Sequence, residues 1–281
     1  MWKVSQVILQ ILVFANVTAS EQEHNVTKRE IDQQIIGGFA ISMPTAVLIL
    51  IKPDESTTNS CSGTILSEDI ILSAGHCFDI PGSYANVTTI VAGVSDLQNY
   101  LTGRPNIAQV FNVEKVTIHP RYRHVDGEPG EQEELIWDLA IIKLSSKMEI
   151  GTNPNMEAVK LPPPGIRHAG KIVRVGGWGR YTPHSGVSLI HQEIHVMINP
   201  DTTCSDTYDV GEYLPSLMFC AGERGQTTCR GDSGSGALIN WNNKKILIGV
   251  LSFGTKGCKT ASVFQRVDKS LPWIFRETKL R

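Results

Sequence analysis

Short apolar runs separated by turn-forming residues recur along most of this chain. Val47-Leu48-Ile49-Leu50-Ile51 is apolar throughout. Ile70-Ile71-Leu72, Thr89-Ile90-Val91-Ala92, Phe111-Asn112-Val113, Val116-Thr117-Ile118 and Leu139-Ala140-Ile141-Ile142 follow. β-Branched residues fit a pleated, half-buried surface, and the Pro, Gly, Asn and Ser clusters between the runs supply turns. The pattern predicts short strands in a barrel or sandwich. A Pro-rich stretch, Asn153 to Pro164, interrupts it and reads as a linker between two halves. Strands resume at Ile172-Val173-Arg174-Val175 and continue through Ile194 to Ile198, Ala237 to Ile239 and Ile246 to Phe253. Pro200 to Thr203 starts a short helix with Asn199 as N-cap. Leu271, Ile274 and Phe275 give the C-terminus the spacing of a closing amphipathic helix.

The first 34 residues follow a different pattern. Lys3 precedes an apolar run from Val7 to Ala15 and small residues at Ala19 and Ser20, the layout of a secretory signal peptide over residues 1–20. That run is too short to span a bilayer. Residues 21–34 are polar, with Lys28-Arg29 in their middle, and read as a propeptide. A soluble, exported protein is the expectation.

Composition agrees. The chain has 281 residues, 41% hydrophobic and 19% charged, enough for one large domain or two small ones. A formal net charge of −2 gives no basic footprint for nucleic acid. The six cysteines, Cys61, Cys77, Cys204, Cys220, Cys229 and Cys258, suit three disulfides in an exported chain. Six cysteines allow 15 pairings. None forms a CxxC pair, which argues against a zinc site. Asn25 and Asn86 begin glycosylation sequons, and the sequon at Asn16 falls inside the leader.

The candidate chemistry centres on Cys229-Arg230-Gly231-Asp232-Ser233-Gly234-Ser235-Gly236, where a serine is surrounded by glycines. By itself this fits a Gly/Ser-rich surface loop as well as a positioned nucleophile. A serine hydroxyl becomes a useful nucleophile only beside a general base. Of eight histidines, His76 stands out, since it closes an apolar strand through Ser73-Ala74-Gly75 and precedes a cysteine. Asp138 opens another apolar strand, an unfavourable place for a charge without a partner.

These residues resemble the motifs of the chymotrypsin-like serine proteases. Ile35-Ile36-Gly37-Gly38 resembles the activated N-terminus. Leu72-Ser73-Ala74-Gly75-His76-Cys77 resembles the histidine motif, Asp138-Leu139-Ala140-Ile141-Ile142-Lys143-Leu144 the aspartate motif and Gly231-Asp232-Ser233-Gly234-Ser235 the nucleophile motif. The order His, Asp, Ser is that of this family. Gly177-Trp178-Gly179, Met218 to Gly222, Ser252-Phe253-Gly254 and Trp273-Ile274 add lesser matches.

The resemblance implies an all-β protein of two six-stranded antiparallel barrels. The first would span about 35–150, the second about 160–265, and a C-terminal helix about 267–280, within one protease domain over 35–281. It implies Ser233, His76 and Asp138 as triad, the N–H groups of Gly231 and Ser233 as oxyanion hole, and an Ile35–Asp232 ion pair after activation. The implied disulfides are Cys61–Cys77, Cys204–Cys220 and Cys229–Cys258. No cofactor or metal is implied. The implied partners are protein or peptide substrates, protease inhibitors and an activating protease, with a monomeric state and no membrane or nucleic acid.

Three departures accompany the match. Gln34, not Arg or Lys, precedes Ile35, so maturation needs a protease that accepts Gln34, or a cut after Arg29 followed by trimming. Thr227 stands where trypsin-like members carry an aspartate; with Gly254 and Ser262 it suggests an uncharged pocket. A large apolar residue is the first expected preference and a small apolar one the second. Asp126, Glu128, Glu131, Glu133 and Glu134 crowd the stretch before Asp138, which reads mainly as a solvated loop and secondarily as one that steers basic substrates. Two other functions use the same residues: a non-catalytic homologue that binds or regulates, and an exported esterase or acyltransferase. The complete triad argues against the first and the His, Asp, Ser order against the second.

Overall fold

The computed structural model describes residues 38–40, 43–54, 57–79, 88–98, 108–125, 134–166, 169–180, 188–209 and 211–280. Residues 1–37, which hold the expected leader and propeptide and Ile35, lie outside the described residues, as do the asparagines of both sequons and residues 126–133 of the acidic stretch.

The first half contains β1 (Phe39–Ala40), β2 (Ala46–Ile51), β3 (Asn59–Ile65), β4 (Ile70–Ser73), β5 (Thr88–Ala92), β6 (Gln109–Ile118), β7 (Arg123–Val125), β8 (Glu134–Ile136) and β9 (Ala140–Leu144). The second contains β10 (Ile172–Gly177), β11 (Gln192–Met197), helix α1 (Asp201–Thr207), β12 (Met218–Ala221), β13 (Gly236–Trp241), β14 (Lys244–Gly254), β15 (Ser262–Arg266) and helix α2 (Val267–Thr278).

β2-β3-β4-β9-β6-β5 close into a six-stranded antiparallel barrel. The continuous apolar run of β2 is explained by burial on both faces, with all six residues inside. β11-β10-β13-β14-β15-β12 form a second six-stranded sheet, to which β1 adds an edge. A bridge between Ile198 and Ala221 joins its two ends, so this sheet also curls into a barrel. The two six-stranded antiparallel barrels and the C-terminal helix are the architecture the resemblance implied.

One apolar cluster runs from the first barrel into the second, joining Ile71, Leu72 and Leu139 to Trp178, Leu247 and Val250. Helix α2 adds Val267, Leu271, Trp273 and Ile274 to that cluster. Each fully buried Leu or Ile contributes about 1.5–3 kcal/mol relative to exposure. Burial of this kind fixes both barrels against each other and makes a rigid seam between them.

Several local expectations need correction. Phe111–Val113 and Val116–Ile118 are one strand, β6, kept continuous by a register shift between Val113 and Lys115. A bulge of this kind breaks the alternation that strand reading relies on. Helix α1 starts at Asp201 and Pro200 takes the cap position, without a side-chain cap bond. Asn199 is committed elsewhere, its Nδ2 donating to the Gly222 carbonyl at 3.0 Å. β3, β12 and β15 are strands that carry no long apolar run. In β3 the sequence Asn59-Ser60-Cys61-Ser62-Gly63-Thr64-Ile65 is nevertheless buried from Cys61 on, with β2 paired along one edge and β4 along the other at Thr64 and Ile65.

Candidate active site

The antiparallel pairing of β4 with β9 sets Ser73 opposite Ala140. The chain leaving β4 therefore reaches His76 beside the residues that enter β9, Asp138 and Leu139. His76 opens a one-turn 3-10 helix over His76–Phe78, and the Cys61–Cys77 disulfide anchors that turn to β3. Asp138 is fully buried. Its Oδ1 accepts the His76 backbone N–H at 2.7 Å, and its Oδ2 accepts His76 Nδ1 at 2.7 Å. Ser252 Oγ donates to the same Oδ2 at 2.5 Å, and Gln265 Nε2 donates to Ser252 at 3.3 Å and to the Leu135 carbonyl at 2.9 Å.

Burial would push the Asp138 carboxyl upward, but the His76 charge and hydrogen bonds from His76 and Ser252 outweigh it and hold the carboxyl below its ordinary range. An ionised carboxylate only accepts, so Nδ1 of His76 carries a proton in this pair. In the neutral ring Nε2 is then the unprotonated nitrogen, the one that can take a proton.

Trp137, next to Asp138, has φ +54°, an uncommon conformation for a bulky residue. Its ring lies flat on His119, with centroids 4.7 Å apart at 3°, and Trp273 of α2 meets His119 edge-on at 4.6 Å. Arg121 lies over the Trp137 ring, 5.5 Å from its centroid. Packing from α2 and from the segment after β6 thus over-determines the backbone that presents Asp138.

The nucleophile loop comes from the second barrel. Cys229–Asp232 form a tight turn, with Asp232 N–H donating to the Cys229 carbonyl at 3.1 Å and Gly231 at φ +96°, as a type II turn requires. Gly234 is also left-handed, and a Cβ there would come within 2.2 Å of the Ser62 carbonyl and Ser73 Oγ. Glycine is what allows the loop to press against the first barrel, where the Ser62 N–H donates to the Ser233 carbonyl at 2.7 Å. The Arg230 carbonyl accepts the Arg180 N–H at 2.8 Å. Across that trans peptide the Gly231 N–H points the opposite way. Neither the Gly231 nor the Ser233 N–H donates a hydrogen bond among the described residues.

Asp232 is buried and directed inward. Its Oδ1 accepts the Gly179 N–H at 2.8 Å and its Oδ2 the Cys229 N–H at 2.9 Å. Burial pushes its carboxyl up to about 6, against those two donors. The expected partner, Ile35, lies outside the described residues.

His76 and Ser233 line one cleft of about 270 Å³, together with Thr228, Phe253, Gly254 and the segment to Cys258. Of the three pocket residues named from the sequence, Gly254 lines this cleft. Thr227 and Ser262 are buried and bonded to each other through their hydroxyls at 2.9 Å. Thr228, which sequence reading passed over, lines the cleft and donates to Ser262 Oγ at 2.7 Å. Among the described residues no carboxylate joins this hydroxyl group. Ser252, Gln265 and Trp137 also act at the site; Ser252 sits in the Ser252-Phe253-Gly254 match, and the other two carry no short sequence signal.

The three implied disulfides form, with Cα–Cα distances of 6.4 Å for Cys61–Cys77, 5.8 Å for Cys204–Cys220 and 5.3 Å for Cys229–Cys258. The one close group of metal-ligating residue types among the described residues is Cys61, His76 and Cys77. Its cysteines are spent in that disulfide, so it supplies no thiolate.

The family model described as Trypsin matches residues 37–274. A trypsin of Tyrophagus putrescentiae is 31% identical over 78% of this chain and 72% of its own length. Cathepsin G of Homo sapiens is 29% identical over 76% of this chain and 74% of its own. Chymotrypsin-like elastase family member 1 of Bos taurus is 25% identical over 95% and 97% respectively. With its two barrels, its buried carboxylate on a histidine and a serine in the same cleft, this chain belongs to the trypsin family and is a serine-type endopeptidase, a hydrolase of peptide bonds.

Proposed function

We propose that Ser233 is the nucleophile, His76 the general base and acid, and Asp138 the group that orients the imidazole. Ser233 Oγ attacks the scissile carbonyl while His76 Nε2 takes its proton; His76 then protonates the leaving amine, and an acyl-enzyme remains on Ser233. Water, deprotonated by the same imidazole, releases the acid. The Gly231 and Ser233 N–H groups stabilise the oxyanion in both steps, each donor being worth about 2.7–4 kcal/mol. The observation that carries this reading is the Asp138–His76 Nδ1 bond at 2.7 Å, in a cleft that Ser233 also lines.

Hydroxyls behind Thr228 and Gly254, with no carboxylate among the described residues there, support an uncharged residue before the cut. A buried Lys or Arg head would lack a counter-ion there, at a cost of several kcal/mol. A large apolar residue is the first choice and a small one the second. A peptide panel varying Arg, Phe, Leu and Ala before the cut tests this, and fastest turnover of Arg contradicts it.

The leader-like residues 1–20 support export, and residues 21–34 a propeptide whose loss frees the Ile35 amine to pair with Asp232. Protein substrates, an activating protease and protein inhibitors follow as partners of a monomeric enzyme with one protease domain over 35–281. N-terminal sequencing of the active form tests the maturation step, and a start anywhere but Ile35 contradicts it. Reaction of matured protein with a serine-directed phosphonate, with and without Ser233→Ala, tests the catalytic assignment.

A further inference from the structure

The charge at the cleft mouth is not used by the mechanism above. Among the described side chains lining the cleft, the titratable ones are His76, Arg230 and Lys256, and none of them is a carboxylate. Arg230 and Lys256 are exposed, and neither makes an ion pair among the described residues. General basicity does not explain them, because the whole chain has a formal net charge of −2.

Their positions are fixed by covalent structure. Arg230 follows Cys229 and Lys256 precedes Cys258 by two residues, and the disulfide between those cysteines holds their Cα atoms 5.3 Å apart. The Lys256 turn is tied further, with the Cys258 N–H donating to the Thr255 carbonyl at 2.9 Å and the Lys259 and Thr260 N–H groups donating to Thr255 Oγ1 at 3.2 Å. Arg230 directly precedes Gly231, whose N–H faces the reacting carbonyl in the proposed mechanism. The nearest acid in sequence, Asp232, is fully buried and turned to Gly179 and Cys229, so it leaves the Arg230 charge directed at the cleft.

We propose that Arg230 and Lys256 make this enzyme select substrates with acidic residues flanking the scissile bond. The inference rests on the proteolysis reading and adds its substrate class. Both cations sit within a few residues' reach of the reacting carbonyl, since an extended chain advances about 3.3–3.6 Å per residue. Exposed charge pairs are modest, so each is expected to give about a two- to fivefold preference, and both together about tenfold at low salt. Screening at 1 M salt, where the Debye length is about 3 Å, removes most of it.

The test uses matured enzyme and three peptides that share the residue before the cut and carry Glu, Gln or Lys two positions to either side. The expected order of kcat/KM is Glu, Gln, Lys, with a Glu to Gln ratio of about ten at low ionic strength that falls toward one at 1 M NaCl. Arg230→Gln and Lys256→Gln each lower the ratio, and Arg230→Glu inverts the order. Equal rates for Glu and Gln peptides, or fastest cleavage of the Lys peptide, overturn the inference while leaving proteolysis standing. No cleavage of any peptide, including the Gln control, overturns the proteolysis reading and this inference with it.

Discussion

Trp137 lies flat on His119, 4.7 Å between ring centroids, and is the residue immediately before the buried Asp138. The stack holds the φ +54° backbone of Trp137 and with it the carboxylate that binds His76. Trp137→Ala is expected to destabilise the fold by about 1–3 kcal/mol. It is also expected to lower kcat with little change in KM, because the loss falls on the orientation of His76 and not on the cleft walls. Trp137→Phe, which keeps a ring to stack, restores most of kcat. Steady-state kinetics of the two variants check this. A rise in KM alone for Trp137→Ala contradicts a positioning role.

His119 in that stack carries a pH signature. Burial, then the charges of Arg121 and Arg276, pull its pKa down from 6.5 to about 4. Between those values the unfolded chain binds more protons than the native protein, so stability rises as pH rises from about 4 to 6.5. It is fully present above 6.5 and lost as pH falls toward 4. Midpoint temperatures for wild type and His119→Gln across pH 4–7 are expected to differ in slope, the variant being flatter over this window.

Ser252 donates to Asp138 Oδ2, the oxygen that also binds His76 Nδ1. A hydrogen bond to a charged group is worth about 1.5–3 kcal/mol. Ser252→Ala leaves two bonds from His76, so the Asp138 carboxyl is expected to rise from its depressed value without reaching neutrality at pH 7. kcat/KM falls by about tenfold or less, and activity is lost at a higher pH on the acidic side than in wild type. A pH–rate profile of the two proteins reads the difference.

In the proposed maturation step Asp232 carries a pH signature of its own. In the precursor its buried carboxyl is raised to about 6, so between its ordinary range and that value the native state holds the extra proton. Stability of the precursor is therefore expected to fall as pH rises through about 4 to 6, and Asp232→Asn to remove that fall. In the matured enzyme the proposed Ile35 ammonium favours the ionised form, so the same substitution is expected to abolish activity. Melting curves of precursor and matured forms at pH 4, 6 and 8 distinguish the two.

Much of the fold was legible where apolar runs are long and uninterrupted, as in β2 and β14, because burial on both faces leaves a continuous signal. β3 was not legible, since Ser62, Gly63 and Thr64 are small or polar yet buried, and β12 and β15 are only 4 and 5 residues long. His76, Asp138 and Ser233 stood out because each sits beside glycine, cysteine or an apolar strand where its polarity is unusual. Trp137, Gln265 and Thr228 were hidden because their roles depend on contacts between segments far apart in sequence. Gln265, for example, reaches the Leu135 carbonyl 130 positions away. The Cys229–Cys258 tie brings Arg230 and Lys256, far apart in sequence, to one cleft.

In the proposed mechanism Ser233, activated by His76, attacks the carbonyl carbon of the scissile bond. Intact-protein and peptide mass spectrometry of matured enzyme after brief exposure to an alkyl fluorophosphonate tests it most directly. One adduct on Ser233 is expected, absent in Ser233→Ala and greatly slowed in His76→Ala. Matured wild type that remains unlabelled at Ser233, or that labels equally well without His76, contradicts it.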